Sequence, residues 1–301
     1  MNIQTITKIL TNAGIEENEA KIEVKMLLEH FCNFTEKDHI MGAKPDEEKL
    51  KLVEETAILR AKTRKPIQYI IGKAYFMGEY FKVTPDVLIP RDETEILVRK
   101  AIEIIRKKNE ESHAEVDLDK QNKLAAQPMS TGNVSTCAAL DIGTGSGCIA
   151  CTIAKQTDAY VLGVDISSDA LRIALDNVTK LGINNRAVFR KSDLFSKVRE
   201  EEKFDLIISN PPYIPADFEF EPEVLHEPKL ALIAGENGLE FYRKIVEQAP
   251  RFLKPNGWLM FELGIGEAQA VKSFMEKDFK DIKIEKDLAG IERIIYGTKA
   301  C

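Results

Sequence analysis

A glycine-rich segment between an apolar stretch and a helix limits the fold of this chain more than any other part of the sequence. Residues 138–142 read as a buried strand, and Gly143-Thr144-Gly145-Ser146-Gly147 follows them directly. Glycine allows a tight turn and a close approach of a ligand to the backbone. The helix that begins next presents free N–H groups. A strand, a glycine turn and a helix in this order predict the first unit of a ligand-binding α/β sheet.

From residue 137 onward, apolar strands alternate with helical stretches, which is typical of a mostly parallel sheet covered on both faces. The seven candidate strands are 138–142, 160–165, 187–190, 205–209, 258–263, 282–285 and 293–296. Only residues 286–292 link the last two, too few for a parallel crossover, so we expect one of them to run antiparallel at an edge. The predicted fold class is α/β, a doubly wound, mostly parallel, seven-stranded Rossmann-like sheet.

Carboxylates at three strand ends indicate which cofactor this sheet binds. Asp141, just ahead of the glycines, opposes a diphosphate but can pair with the ammonium of a methionine moiety. Asp165 ends the second strand and can accept both hydroxyls of a ribose. Asp193 and Leu194 follow the third strand, where they can meet an adenine amino group and ring. The pattern favours S-adenosylmethionine. The predicted cofactor loop comprises Gly143, Thr144, Gly145, Ser146 and Gly147.

Two simpler interpretations of these residues stay open at this point. Dinucleotide-binding folds also use a glycine-rich turn and an acid at the second strand end. The glycines could instead serve packing alone, with Asp141, Asp165 and Asp193 as helix caps or turn residues.

The tetrapeptide Asn210-Pro211-Pro212-Tyr213 follows the fourth strand, where an open α/β sheet binds its ligands. An amide or aromatic-amine nitrogen is a poor nucleophile because its lone pair is delocalised. The Asn210 side-chain oxygen and the Pro211 carbonyl can accept its two N–H groups and so direct the lone pair at a methyl donor. Tyr213 can stack on a planar amide or base, and the two prolines keep the loop rigid. We therefore predict Asn210, Pro211 and Tyr213 as catalytic, Asn210–Tyr213 as substrate-binding, and Asn210 also as a cofactor contact.

The N-terminal part of the chain predicts a different architecture. Apolar residues recur at helical spacing in two series, over 20–31 and 50–61, which indicates a small helical bundle. A hairpin with Gly78-Glu79 as its turn follows. We predict a helical domain over residues 1–71, a β-hairpin linker over 72–90 and a methyltransferase domain over 91–301. Within the last, the polar residues 109–136 read as a flexible insertion.

Over nearly its whole length the chain resembles the protein-(glutamine-N5) methyltransferases that modify peptide chain release factors. The resemblance rests on residues 66–72, 87–95, 140–148, 210–213, 227–239 and 287–293. It implies that Asn210 and Tyr213 bind the glutamine of a Gly-Gly-Gln loop. It also implies that Gly143–Gly147, Asp165 and Leu194 line the S-adenosylmethionine site, and that the helical N-terminal domain helps to hold the release factor. Asp92 stands where the family usually has proline, and the insertion is longer than expected.

Two other functions compete with this interpretation. The tetrapeptide is shared with enzymes that methylate an amino group of a nucleic-acid base, adenine N6 or guanine N2. Such an enzyme needs a basic groove, whereas this chain has a net charge of −7, so no direct nucleic-acid binding is expected. A non-catalytic module that binds S-adenosylmethionine is the second competitor, and an intact tetrapeptide argues against it.

The remaining signals concern compartment and metal. Five cysteines, an odd number, do not form a disulfide framework, and no run of about 18 apolar residues or secretory signal occurs. We expect a cytoplasmic monomer without contact to a membrane. Cys148 and Cys151 form an isolated C-x-x-C pair, and the four histidines are scattered, so no metal site is expected.

Overall fold

A computed structural model of the protein describes residues 3–122 and 137–300. The described chain divides into two compact units. Unit 1 contains the residues up to Lys73 together with the segment Glu219–Glu227, and unit 2 contains Ala74–Phe218 and the residues from Pro228 onward. No described helix is both long enough and apolar enough to cross a membrane.

Unit 1 is a small helical bundle. Its helices are α1 (Ile3–Asn12), α2 (Glu17–Cys32), α3 (Glu36–Ile40), α4 (Glu47–Thr63) and α5 (Ile67–Ile71). Glu16 and Asp46 begin α2 and α4 by accepting hydrogen bonds from backbone N–H groups of the first turn. The apolar positions at helical spacing, such as Val24, Leu27 and Val53, are buried in one core, as the sequence predicted.

A two-stranded hairpin, β1 (Lys73–Phe76) and β2 (Glu79–Lys82), follows α5. Its turn is Met77-Gly78, with φ of 50° and 91°, so the prediction of Gly78-Glu79 as the turn residues is wrong by one position. Two consecutive positive φ angles match the twist of antiparallel strands. Met77 accepts a left-handed backbone here because its N–H donates a 2.7 Å hydrogen bond to Glu95.

Unit 2 is built on a seven-stranded sheet. Its strands are β3 (Ala138–Ile142), β4 (Tyr160–Asp165), β5 (Ala187–Lys191), β6 (Phe204–Ser209), β7 (Leu253–Glu262), β8 (Phe279–Lys286) and β9 (Glu292–Lys299). They lie in the order β5-β4-β3-β6-β7-β9-β8. Every residue of β6 is buried, as expected for a central strand covered on both faces.

Helices cover both faces of this sheet, which confirms the doubly wound fold. They are α6 (Asp92–Asn122), α7 (Cys148–Gln156), α8 (Ser168–Leu181), α9 (Glu240–Phe252) and α10 (Ala268–Met275). One core lies under α6, α7 and α8, and the other under α9 and α10. Cys148 and Cys151 are both buried on α7, as predicted for small residues of a core helix.

Two details of the sequence-based prediction need correction. Strand β9 is the antiparallel one, but it lies between β7 and β8 and not at the edge. The edge strand is β8, whose alternating lysines and acids suit an exposed position. The prediction of an irregular insertion is wrong for residues 109–122, because they continue α6, while residues 123–136 lie outside the described residues.

Candidate active site

A cavity of about 320 Å³ opens at the carboxyl ends of β3, β4 and β6 in unit 2. Strands β3 and β6 are neighbours, yet the chain leaves β3 toward β4 on the other side, so the cavity lies at the topological switch of the sheet. Predicted site residues in its wall are Gly143, Gly145, Asp165, Asp193, Leu194, Asn210, Pro211 and Pro212. The other predicted residues, Asp141, Thr144, Ser146, Gly147 and Tyr213, are not in the wall.

The glycine turn folds over the end of β4. The backbone N–H groups of Gly143 and Thr144 both donate to the carbonyl of Val164, at 2.9 and 3.0 Å. Gly147, with φ of 78°, begins α7, and a Cβ atom there would lie 3.1 Å from side-chain atoms of Ala174 and Phe189. Gly147 is therefore needed to pack α7 closely on its neighbours, and Gly143 and Gly145 expose backbone to the cavity.

Asp141 lies fully buried beneath this turn. Its Oδ2 atom accepts hydrogen bonds from the Thr144 hydroxyl at 2.6 Å and from the N–H of Ala150 at 3.2 Å. Its Oδ1 atom is buried and has no hydrogen-bond partner among the described residues. Burial raises the pKa of Asp141 to about 7, although Thr144 and Ala150 act in the opposite direction. A buried carboxylate oxygen that lacks a donor can accept a hydrogen bond from an ammonium group.

Asp165 ends β4 at the cavity wall, where protein donors hold its carboxylate in place. Its Oδ2 atom accepts from Gly145 N at 2.9 Å, and its Oδ1 atom accepts from Ser167 N at 2.8 Å. Burial raises its pKa, and these backbone donors oppose the shift. Each oxygen keeps a further lone pair, so the carboxylate can still accept a pair of hydroxyl groups.

Asp193 and Leu194 follow β5 at the next position along the wall. Leu194 has a φ of 46°, and its carbonyl accepts a 2.7 Å hydrogen bond from the buried Ser192 hydroxyl. Ser192 thus fixes a turn that places an exposed carboxylate and an apolar side chain side by side in the cavity. The pair can receive a polar edge and an apolar face of a planar ring.

Asn210, Pro211 and Pro212 continue from the buried end of β6 into the cavity wall. The Nδ2 atom of Asn210 donates a 3.2 Å hydrogen bond to the hydroxyl of Thr94. Tyr213 lies behind this wall, where burial raises its pKa to about 12. A Cβ atom at Gly264 would lie 3.0 Å from its ring. Tyr213 packs on that turn, and the structure does not bring it into the cavity with Asn210.

Several wall residues were not predicted as site residues. They come from the segment before α6, from the loop after the tetrapeptide and from α9: Asp86, Val87, Leu88, Pro228, Leu230, Ala231, Phe241, Lys244 and Ile245. The family resemblance of residues 87–95 and 227–239 was the only sequence signal for the segment before α6 and for the loop after the tetrapeptide. No cluster of three or more His, Cys, Asp or Glu suited to a metal ion occurs in the described part of the chain.

Comparison with known proteins finds a family model for each of the two parts of the chain. Residues 3–72 match the family described as PrmC N-terminal domain, and residues 133–292 match Methyltransferase domain. A release factor glutamine methyltransferase of Geobacter sulfurreducens is 42% identical over 245 residues, which are 80% of this chain and 75% of that protein. The Cereibacter sphaeroides protein of the same name is 35% identical over 294 residues, 95% of this chain and 93% of that one.

A solved structure shares the fold at much lower sequence similarity. The hMettl16 catalytic domain, solved in complex with MAT2A 3′UTR hairpin 6, has a TM-score of 0.53 and 14% identity. The match covers 82% of this chain and 83% of that one. At this identity the likeness concerns the arrangement of strands and helices alone.

Proposed function

Because the chain belongs to the release factor glutamine methyltransferase family, we propose that it methylates the side-chain amide nitrogen, N5, of the glutamine in the Gly-Gly-Gln motif of release factors. The protein is an S-adenosylmethionine-dependent methyltransferase. The single observation that most supports the finer assignment is the position of Asn210, which lies at the switch of the sheet and in the wall of the cofactor-sized cavity.

The cavity residues fit S-adenosylmethionine, which supplies an electrophilic methyl group when bound. Beneath the glycine turn and outside the cavity wall, the Oδ1 atom of Asp141 has no donor among the described residues and would accept the ammonium of the methionine part. Asp165 accepts the ribose hydroxyls. Asp193 and Leu194 would receive the adenine, and the exposed backbone of Gly143 and Gly145 would contact the cofactor. Pairing with an ammonium group would favour the charged form of Asp141 and so lower its raised pKa.

The residues after β6 hold the acceptor nitrogen. The Oδ1 atom of Asn210 and the carbonyl of Pro211 accept the two N–H groups of the glutamine amide, which directs the nitrogen lone pair at the methyl donor. Both acceptors become more favourable as positive charge develops on the nitrogen. Because the charged product nitrogen loses its proton readily after transfer, no strong base is needed beforehand. Tyr213 is not in the cavity wall, so we assign it no contact with the reacting atoms.

The helical unit is proposed to hold the release factor. It comprises the described residues up to Lys73 and the segment Glu219–Glu227, which follows the catalytic tetrapeptide in sequence. The substrate is therefore a protein, held by a unit that does not carry the chemistry. The net charge of −7 fits a protein substrate better than a nucleic acid.

A methyl-transfer assay with labelled S-adenosylmethionine tests this proposal. It offers the purified enzyme a release factor, the same factor with the motif glutamine changed to alanine, and nucleic acid in parallel. We expect label on the intact factor only, and loss of that label with Asn210→Ala while cofactor binding is retained. Label on nucleic acid would refute the glutamine assignment in favour of a base amino-methyltransferase. Cofactor binding without label on any of the three would favour a non-catalytic module.

A further inference from the structure

Behind Asn210, three polar side chains from distant parts of unit 2 form a continuous hydrogen-bonded chain. The Thr94 hydroxyl, in the first turn of α6, donates to Oε2 of Glu262 at 2.6 Å. The same hydroxyl accepts from Nδ2 of Asn210 at 3.2 Å. Thr94 is 3% exposed and Glu262, the last residue of β7, is 2% exposed, so water does not substitute for these partners.

The direction of these bonds is fixed by the chemistry of the groups. An ionised carboxylate can only accept, so the single proton of the Thr94 hydroxyl is committed to Glu262. The hydroxyl then offers only lone pairs to Asn210. The Asn210 amide also acts to lower the pKa of the Glu262 carboxyl. Reversing the Asn210 amide would place its oxygen against two acceptors, which is unfavourable in a buried site.

We propose that Glu262 and Thr94 are positioning residues that hold the Asn210 amide with its nitrogen inward and its oxygen toward the acceptor nitrogen of the substrate. The inference deepens the proposed function and rests on it, because an oriented acceptor matters only if a substrate N–H must be accepted. Neither residue touches the reacting atoms. Both act through Asn210. Because its amide is oriented before the substrate binds, no reorganisation energy is needed during the reaction.

The effect of this hydrogen-bonded chain on Asn210 depends on the charge of Glu262. Burial, with a smaller contribution from Glu93, raises the pKa of Glu262 to about 7, while the hydrogen bond from Thr94 and the charge of Arg293 act in the opposite direction. Tyr213 and the buried thiol of Cys148 also face this carboxyl. Once protonated, Glu262 can donate to the threonine hydroxyl, which is then free to donate in turn. Protonation therefore removes the constraint that keeps the asparagine nitrogen inward.

The decisive comparison uses threonine variants. Thr94→Val keeps the shape of the side chain and removes the hydroxyl, whereas Thr94→Ser keeps the hydroxyl. We expect kcat of Thr94→Val to fall about 10- to 100-fold, as is typical for a slightly misplaced reacting group. Thr94→Ser should stay within about threefold of the wild type. The affinity for S-adenosylmethionine, measured by calorimetry, should not change in either variant.

The chain offers a matched control. Thr152 on α7 is likewise 3% exposed, and its hydroxyl has no partner among the described residues. Thr152→Val is the same chemical change in the same unit, and we expect wild-type kcat from it. Thermal unfolding of each variant separates a loss of kcat from a loss of folded protein.

A pH profile gives a second, independent readout. At saturating cofactor, kcat of the wild type should fall as the pH drops below about 7 and level off about 10- to 100-fold lower, as expected for Thr94→Val. Glu262→Gln should be slow at all pH values and lack this limb, because a glutamine can donate to the hydroxyl but cannot change charge. The rates are compared on whichever acceptor the wild type labels, so failure of the release-factor assignment does not obscure the result. If Thr94→Val and Glu262→Gln both kept the wild-type kcat and pH profile, the positioning role of Thr94 and Glu262 would be refuted. The proposed function would not be affected.

Discussion

The individual carboxylates of the site differ in how many of their oxygens the protein itself occupies. Asp165 has a backbone donor on each oxygen, whereas Asp141 has two donors on Oδ2 and none on Oδ1. A buried carboxylate oxygen without a donor destabilises the ligand-free protein. Asp141 therefore keeps a buried acceptor that no described residue occupies.

The first prediction concerns Asp141→Asn. We expect the Kd for S-adenosylmethionine to rise about 10- to 100-fold, the usual worth of one charge-assisted hydrogen bond. In the wild type the carboxyl has a pKa of about 7, so affinity should increase as the pH rises toward that value and the carboxylate forms. Calorimetry between about pH 5.5 and 7.5, below the ordinary pKa of an α-ammonium, measures both effects.

Asp158→Asn is the matched control for that substitution. Asp158 has an 85% exposed side chain in a surface ion pair with Arg186, so its loss should not alter the Kd. An Asp141→Asn protein that retained the wild-type Kd and its pH dependence would show that the ammonium is bound elsewhere.

Single residues also show where sequence reasoning ends. Asp141 and Asp165 could be placed in advance because strand ends of a parallel sheet meet at one edge. Thr94 and Glu262 could not, because they lie 168 positions apart and nothing in either local pattern reveals the other. The partnerless oxygen of Asp141 was equally invisible, since it depends on where Thr144 and Ala150 direct their protons.

The strands and helices of unit 2 were predictable from their hydrophobic period, but the pairing of the strands with one another was not. All seven strands lie where the sequence predicted them, and the central parallel strands, such as β6, carry a continuous apolar pattern. The inward position of β9 and the Met77-Gly78 turn were missed. Both depend on pairing partners that a local pattern does not contain. The same limit explains α6, whose polar second half continues a helix begun by an apolar first half.

The second prediction concerns the crossing of the glycine turn over β4. A Cβ atom at Gly163 would lie 2.6 Å from the Phe189 ring and 2.8 Å from the Thr144 hydroxyl. Gly163→Ala should lower the free energy of unfolding by about 1–3 kcal/mol through overpacking. It should also weaken cofactor binding, because Thr144 holds Asp141. Chemical denaturation and calorimetry measure the two losses.

Phe189→Leu in the same background supplies the control for that prediction. The smaller side chain relieves the contact, so the double variant should be more stable than the sum of the two single changes implies. Simple additivity of the two free energies would contradict the steric explanation.

Across the whole chain, unit 1 is completed by a segment that is far away in sequence. Arg60 is fully buried on α4, and its guanidinium bonds to Glu23 at 2.9 Å and to Glu223 at 2.9 Å. Arg64 also donates to Glu223, at 2.6 Å. Burial raises the pKa of Glu23, whereas the two arginines hold the pKa of Glu223 below its usual range. The segment Glu219–Glu227 is thereby fastened to the helical bundle.

The third prediction tests this fastening. Glu23→Ala removes the principal partner of a fully buried cation, so we expect unit 1 to lose about 3 kcal/mol of unfolding free energy. Glu36→Ala breaks the exposed pair with Lys25, whose side chains are 64–71% exposed, and should cost no more than about 0.5 kcal/mol. Urea denaturation followed by circular dichroism measures both values. Equal losses in the two variants would mean that burial of Arg60 contributes nothing to the stability of the bundle.

The Arg60–Glu223 contact has a consequence for the order in which the protein is made. The two residues are 163 positions apart, so ribosomes working at about 5–20 residues per second deliver the glutamate roughly 8–33 s after the arginine. Throughout that interval Arg60 can pair with Glu23 but not with Glu223, which has not yet been synthesised. The helices of unit 1 are therefore synthesised before Glu223, and the unit reaches its final form only after residues 210–213 have been added to the chain.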